Sequence, residues 1–463
     1  MKQDINRREF LKIVGISAAT VGVASTLGCK SKGLVSSERG GTSQTEVPKN
    51  QITCKKVPGT YDDLALLAYG CMRWPTKEGV QKGENVVDQD AVNELVDYAI
   101  EHGVNYFDTA PIYCQGWSEE ATGNSLSRYP RESYYIATKM SNKTKFDFEF
   151  GVNMYKNSLK KLQTDYIDYY LLHNVGSDIE SFNARFIDNG LLDYLLEERK
   201  AGRIRKLGWS FHGDAAVFDQ ILAMHDEVHW DFVQIQLNYS DWRNAAFTFI
   251  ENVNAEYLYN EIAKRNIPVA VMEPLLGGRL SSVPDHVFKR LKEREPEQSV
   301  ASWAFRFAGS KPLVYTVLSG MVYLEHLQDN IRTYSPLKPL SAEEEEFLDE
   351  TANLLVQYPT VACNDCKYCM PCPYGVDIPA ILLHYNKCVN EGNISNTRQD
   401  ENYKEARRAY LVGYDRAVPK LRQAKKCIGC NQCTPYCPQR IDIPAQLSRI
   451  DSYIEKLKQE IDF

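Results

Sequence analysis

The sequence predicts an α/β protein: a (β/α)8 barrel followed by a small, mainly helical domain rich in cysteine. Three observations lead there. Between about residues 52 and 335, short apolar, β-branched runs alternate eight times with segments of helical spacing. No G-x-G-x-x-G follows any of those runs, which argues against the alternative of a doubly wound dinucleotide-binding sheet. And eight cysteines gather in two near-copies of one phrase, CNDCKYCMPCPYGVDIP (363–379) and CIGCNQCTPYCPQRIDIP (427–444).

Length and composition agree. The 463 residues suffice for two or three domains, and 43% hydrophobic with 25% charged residues is ordinary for a chain burying a large core. The net charge is −7, with no lysine/arginine block beyond the N-terminus, so nucleic acid is excluded as the expected partner.

The first residues read as address rather than fold. Arg7 and Arg8, then Phe10, Leu11 and Lys12, precede a mildly apolar stretch from Ile13 to Leu27. That stretch is short of the roughly twenty apolar residues a spanning helix needs. NRREFLK resembles a twin-arginine export signal, which assigns residues 1–28 to a signal peptide. TLGC resembles a lipoprotein processing site ending at Cys29, and residues 29–50 are Ser/Gly/Thr/Lys-rich, a flexible tether. The expected location is therefore outside the cytoplasm, periplasmic or tethered to a membrane face through Cys29, with no other membrane contact.

The barrel spans 51–340. Its eight expected strands lie in LALLAYGCM (64–72), VNYFDTA (104–110), YYIATKM (134–140), YIDYYLLH (166–173), KLGWSF (206–211), FVQIQLNY (232–239), PVAVMEPL (268–275) and PLVYTVLSG (312–320). Between them come amphipathic segments such as DAVNELVDYAIEHG, where Val92, Leu95, Val96 and Ala99 share one face. In such a TIM barrel the reacting groups sit where strands end, at the C-terminal face. The second run ends at Asp108 with Tyr113 just beyond, the third at Lys139 and the fourth at His173.

These segments resemble the aldo-keto reductase family. GVNYFDTAPIYCQGWSEEATGNSL is similar to its Asp-then-Tyr segment, YIATK to its lysine strand and YIDYYLLH to its histidine strand, and the resemblance covers about 52–335. It implies carbonyl–alcohol interconversion of a small molecule with a nicotinamide cofactor. Tyr113 would be the proton donor, Lys139 would lower its pKa, Asp108 would hold Lys139, and neutral His173 would orient the carbonyl. Nucleotide positions carry over less cleanly. Ser210 and Gln234 fit the carboxamide-holding residues, but Phe211 stands where Asn is usual. Met272 and Glu273 replace the Tyr-Ser after strand seven, leaving Leu275 and Gly277 to offer backbone near the pyrophosphate. Gly320, Asp329 and Asn330 resemble the adenosine-binding region. NADP and NAD both stay open. Trp74 and Trp117 fall in catalytic-face loops and could stack on a sugar or serve as loop packing.

The C-terminal domain spans 341–463. Thiols in C-x2-C-x2-C stand too close in sequence to pair conveniently as disulfides, and zinc usually takes two separated C-x2-C knuckles. Three cysteines at this spacing and a fourth before proline form the ferredoxin-type pattern for [4Fe–4S] clusters. Cys427, Cys430, Cys433 and Cys437 match it, whereas Cys363, Cys366, Cys369 and Cys372 shorten the last gap to two. Because the fourth cysteine of each run ligates the other cluster in this pattern, two clusters are expected. One is held by Cys363, Cys366, Cys369 and Cys437, the other by Cys427, Cys430, Cys433 and Cys372. GVDIPA and RIDIPA should open two equivalent helices. Cys54, Cys71, Cys114 and Cys388 are read as buried or incidental, with Cys114 beside the pocket. A subset of aldo-keto reductases carries such a domain, and CMPCPYGVDIP resembles its signature.

The function expected is an exported oxidoreductase acting on a sugar or glycoside, with clusters relaying electrons to a redox partner protein. Two alternatives stand beside it: the same enzyme with structural clusters, or a non-enzymatic tethered electron carrier.

Overall fold

The computed structural model describes residues 46–57, 62–79, 85–248, 253–356, 360–395, 397–437, 439 and 441–459, and these belong to one compact unit. The export signal, Cys29 and most of the tether lie outside the described residues. Eight parallel strands close into a barrel: β1 (Leu67–Gly70), β2 (Tyr106–Asp108), β3 (Tyr135–Met140), β4 (Ile167–Val175), β5 (Ile204–Phe211), β6 (Phe232–Gln236), β7 (Val269–Met272) and β8 (Val314–Ser319). The ring closes where Val317 of β8 meets Leu67 of β1. Each of the eight expected runs overlaps one barrel strand, with β4 running on to Val175 and β5 starting at Ile204.

An outer helix follows each strand: α1 (Gln89–Glu101), α2 (Ser118–Leu126), α3 (Phe148–Leu162), α4 (Leu191–Lys200), α5 (Ala215–Ala223), α6 (Ala255–Ala263), α7 (Val300–Ser310) and α8 (Leu324–Tyr334). Local sequence starts several of them. The Asp147, Asp214 and Ser299 side chains accept from backbone N–H groups of the first turns of α3, α5 and α7. On α1 the buried residues are Val92, Leu95, Val96 and Ala99, one stripe against the sheet.

Aromatic rings fill the barrel floor. Tyr169 lies 5.1 Å from Tyr106, 5.3 Å from Phe232 and 5.7 Å from Tyr315 between ring centroids. Its hydroxyl donates to Asp62, which precedes the second strand of an N-terminal hairpin (Cys54–Lys56 with Asp63–Ala65). With the floor plugged, the C-terminal end is the one left for chemistry.

After the barrel, α9 (Ala342–Leu355) starts on a capping box between Ser341 and Glu344. A second, separate core is built from α10 (Ile378–Asn390), α11 (Tyr403–Ala417) and α12 (Ile443–Gln459), with Ile381, Tyr410, Ile450 and Leu457 at its centre. Both D-I-P phrases open a helix: Asp377 accepts from Ala380 N and Asp442 from Ala445 N. Among the described residues no helix is long and apolar enough to cross a membrane.

Gly208 shows how tightly β5 and β6 pack, since a Cβ there would lie 2.3 Å from the Phe232 carbonyl oxygen. Gly208→Ala should lower unfolding stability by about 1–3 kcal/mol, the range for overpacking a filled core. Thermal and denaturant unfolding of the full chain reads this, and an unchanged midpoint would refute so close a contact.

Candidate active site and cysteine centre

The four strand-end residues meet at the barrel mouth. Lys139 is fully buried; its Nζ donates to Asp108 Oδ1 at 2.5 Å and to the Thr109 carbonyl at 2.8 Å. The same ammonium lies 4.9 Å from the centroid of the Tyr113 ring. Tyr113 stands edge-on to His173 at 5.8 Å. His173 Nδ1 and the Ser141 hydroxyl are 2.6 Å apart, and Arg185 donates to the His173 carbonyl. The turn that delivers Tyr113 is tight: Cys114 and Gln115 both have left-handed backbones, φ 49° and 57°.

Burial dominates the electrostatics. It pushes the Tyr113 phenol well above its ordinary range, with Tyr368 and Asp108 adding to the effect. The expected lowering by Lys139 is thus outweighed, because removing a phenolate from water disfavours it more strongly. Lys139 itself is lowered by burial, and Asp108 only partly restores it. His173 falls well below its ordinary value through burial, with Lys139, Lys143, Arg185 and His212 acting the same way. The resting site therefore presents a protonated phenol and a neutral imidazole.

Sequence reasoning missed Tyr368. It sits between Cys366 and Cys369, yet its ring lies 6.4 Å from that of Tyr113, nearly parallel. Its hydroxyl reaches Met72 Sδ at 3.5 Å. A cavity of about 1890 Å³ opens beside the pair, lined by barrel loops together with Cys366, Tyr368, Pro435 and Cys437. Trp74 and Cys114 line it too, whereas Trp117 is 52% exposed and is not on its wall.

The cysteine loops are seated on the mouth by polar contacts. Asn364 Nδ2 donates to Glu273 Oε1 at 2.7 Å, and Gln439 Nε2 to both Glu273 oxygens at 3.1 and 3.2 Å. Arg73 donates to the Asn364 carbonyl. Burial raises Glu273 to about 7, against the pull of Asn364 and Gln439. Glu273, read from sequence only as a departure from the family pattern, is the docking point.

The two cysteine runs lie near one another, and Cys369 feels both Cys437 and Cys433 of the second run. Cys363, Cys366 and Cys369 each feel the charge of Cys437, and Cys433 feels Cys427, Cys372 and Cys430. All twelve described cysteines are free thiols. The donor set, eight thiols in two runs at C-x2-C-x2-C spacing, suits an iron–sulfur cluster better than a lone zinc. Of the remaining four, Cys71 and Cys388 are buried, Cys114 is half-buried and Cys54 is exposed on the N-terminal hairpin.

The nucleotide positions divide. Ser210 is 1% exposed and its hydroxyl accepts from Asn174 N. Gln234 is 2% exposed, its Nε2 reaching Met272 Sδ while Oε1 has no partner. A ring carboxamide would give that oxygen its missing donor, so this end fits a nicotinamide. The other end is occupied by the protein: a Cβ on Gly277 would lie 2.3 Å from Asn364 Cα, and Leu275 is half-buried beside it. Asp329 accepts from Ser299 and Asn330 donates to Ser319, so both tie α8 to the barrel, while Gly320 stays exposed.

Residues 66–353 match the model of the aldo/keto reductase family, and the chain belongs to that family. Residues 362–441 match the 4Fe-4S dicluster domain. Among curated relatives, an uncharacterized oxidoreductase of Bacillus subtilis (strain 168), YqkF, is 24% identical over 60% of this chain and 90% of its own length. The L-galactose dehydrogenase of Arabidopsis thaliana is 23% identical over 58% and 85%. The holo form of an aldo-keto reductase from Bacillus halodurans superposes with a TM-score of 0.52 at 22% identity, covering 65% of this chain and 96% of that one. That last likeness concerns the fold.

Glu273→Ala should leave the Asn364 and Gln439 amides without their acceptor, at about 1–3 kcal/mol for groups left buried and unpaired. Hydrogen exchange at residues 361–368 should then quicken, with Glu273→Gln, which keeps one acceptor, lying between. Equal protection in all three proteins would show that the contact does not hold the loops down.

Proposed function

We propose an enzymatic function rather than the non-enzymatic carrier, since the chain is an oxidoreductase of the aldo-keto reductase family with a 4Fe-4S domain. We propose that it interconverts a carbonyl and an alcohol at Tyr113 and His173, and that the cysteine loops pass electrons between this site and a redox partner. One observation carries the reading: Cys366, Cys437 and Tyr368 wall the same cavity as the barrel loops around His173, and the Tyr368 ring lies 6.4 Å from that of Tyr113.

In this reading the protonated Tyr113 gives its proton to the carbonyl oxygen, and neutral His173 donates a hydrogen bond that orients it. Lys139, held by Asp108 and the Thr109 carbonyl, places positive charge where a phenolate forms. Cys363, Cys366, Cys369 and Cys437 would hold one [4Fe–4S] cluster, and Cys427, Cys430, Cys433 and Cys372 a second, supplying one-electron chemistry when loaded. Ser210 and Gln234 would hold the carboxamide of NADP or NAD, whose chemistry is hydride transfer. The two nucleotides are not distinguished. A sugar or glycoside substrate draws support from the relative named for L-galactose. Export by the twin-arginine route, with Cys29 as the anchor, belongs to the same proposal and rests on NRREFLK and TLGC.

A second reading keeps the enzyme and makes the clusters structural. The seating of Asn364 and Gln439 on Glu273 favours it, since it pins the loops over the mouth. A redox titration separates the two, because structural clusters would not change oxidation state during turnover.

For the main reading, dye-coupled turnover of an aldose and polyol panel by anaerobically purified full-length protein is the test. Tyr113→Phe should cut turnover about 10²–10⁴-fold while leaving the iron–sulfur absorbance intact. A variant as active as the wild type would sink the assignment of Tyr113.

A further inference from the structure

One wall of the cavity carries cations that no carboxylate neutralises. Arg185, between β4 and α4, is 4% exposed and gives its hydrogen bonds to neutral acceptors alone: the His173 carbonyl at 2.8 Å, the Asn174 carbonyl at 3.3 Å and Asn142 Oδ1 at 3.4 Å. Asp178 favours its charge through space, yet its carboxylate caps Ser181 N at 2.6 Å and makes no ion pair with Arg185. Lys143, after β3, lines the same wall, and its ammonium has no hydrogen bond or ion pair with any described residue. It is exposed to the cavity, and desolvation together with the charge of Arg185 lowers it to about 8.

Lys143, Arg185 and His212 line one cavity, and Arg185 donates to the carbonyl of His173. The acids on the cavity wall, Glu94 and Asp365, lie elsewhere, on α1 and in the first cysteine loop. Keeping the buried Arg185 without an ion-pair partner is costly, and a bound anion reduces the cost. Ser141, Asn174, Ser177 and Ser181 line the same cavity, and the Ser141 hydroxyl lies 2.6 Å from His173 Nδ1.

We propose that the substrate is a polyhydroxylated carboxylate, a sugar acid or hydroxy acid. Its carboxylate lies against Lys143 in the field of Arg185, and its reacting carbon faces Tyr113 and His173. This deepens the oxidoreductase reading and rests on it for the reacting carbon. The rival role for the same charges, stabilising negative charge on the reacting oxygen, asks nothing of the rest of the substrate.

Glucarate and glucitol form a matched pair of non-carbonyl probes that differ in their carboxylates. Calorimetric titration into the cluster-loaded full-length protein should show glucarate binding at least about tenfold more tightly than glucitol, the scale of one charge-assisted contact. Lys143→Glu and Lys143→Met should lose about that factor for glucarate, Lys143→Arg should keep most of it, and glucitol binding should not move. An unchanged iron–sulfur absorbance certifies that each variant is folded and loaded. Glucarate binding no tighter than glucitol binding, or binding indifferent to Lys143→Glu, overturns the proposal. The expected binding pattern in a protein that turns over no aldose, polyol or sugar acid would sustain the anion site and sink the oxidoreductase reading alone.

Discussion

The seating of Asn364 against Gly277 is the contact on which the rest of the molecule depends. A barrel whose floor is filled by Tyr106, Tyr169, Phe232 and Tyr315 offers chemistry at one end. There the first cysteine loop lies within backbone contact of the loop after β7. Gly277 has φ +66°, and a Cβ would collide with Asn364, so this loop tolerates no side chain at that point. Once the contact is made, Glu273 is enclosed and needs the amides of Asn364 and Gln439 around it. Tyr368, four residues on from Asn364, is then carried to Tyr113. The cavity roof, the position of Cys366 and Cys437 and the partner of the catalytic phenol all follow from one close approach.

Desolvation is the second organising effect. In the strand-end group it wins over every pairwise attraction: Tyr113 rises despite a lysine 4.9 Å from its ring, and Lys139 falls despite a carboxylate at 2.5 Å. The consequence is a site that holds its protons where a carbonyl oxygen needs them, on Tyr113, with His173 neutral and able to donate. The Asp108–Lys139 pair then serves position more than stability, since a buried ion pair roughly breaks even against its own desolvation. Asp108 Oδ2 has no partner at all. An arrangement built for stability would not leave it so.

Much of this was legible in the sequence, for reasons that are local. Strand runs alternate with helical spacing whatever the tertiary context, so all eight strands could be placed, and Asp108, Lys139 and His173 could be read from where those runs stop. Cysteine spacing encodes its own chemistry, and the run-and-repeat pattern is enough to announce the 4Fe-4S dicluster domain that residues 362–441 match. What escaped was non-local. Nothing in CKYC says that its tyrosine reaches a phenol some 250 positions earlier in the chain. Glu273 looked like a lost nucleotide contact because its partners, Asn364 and Gln439, are distant in sequence. Asp329 and Asn330 looked free because a single sequence cannot show Ser299 and Ser319 facing them.

The doubled cysteine phrase has a mechanical reading beyond ligand count. Each D-I-P helix start lies a few residues after its run, α10 after the first and α12 after the second, and the two helices share one core through Ile381, Leu447 and Ile450. If the fourth thiolate of each run serves the other's group, neither loop can close until both helices are packed. Closing the loops is also what brings Asn364 and Gln439 together over Glu273, one from each half of the repeat. The two halves therefore meet at three places, the helical core, the crossed thiolates and a single carboxylate of the barrel. Docking on the catalytic face thereby becomes a test that the domain is whole: a half-formed repeat presents only one of the two amides, and the buried carboxylate is left partly unsatisfied.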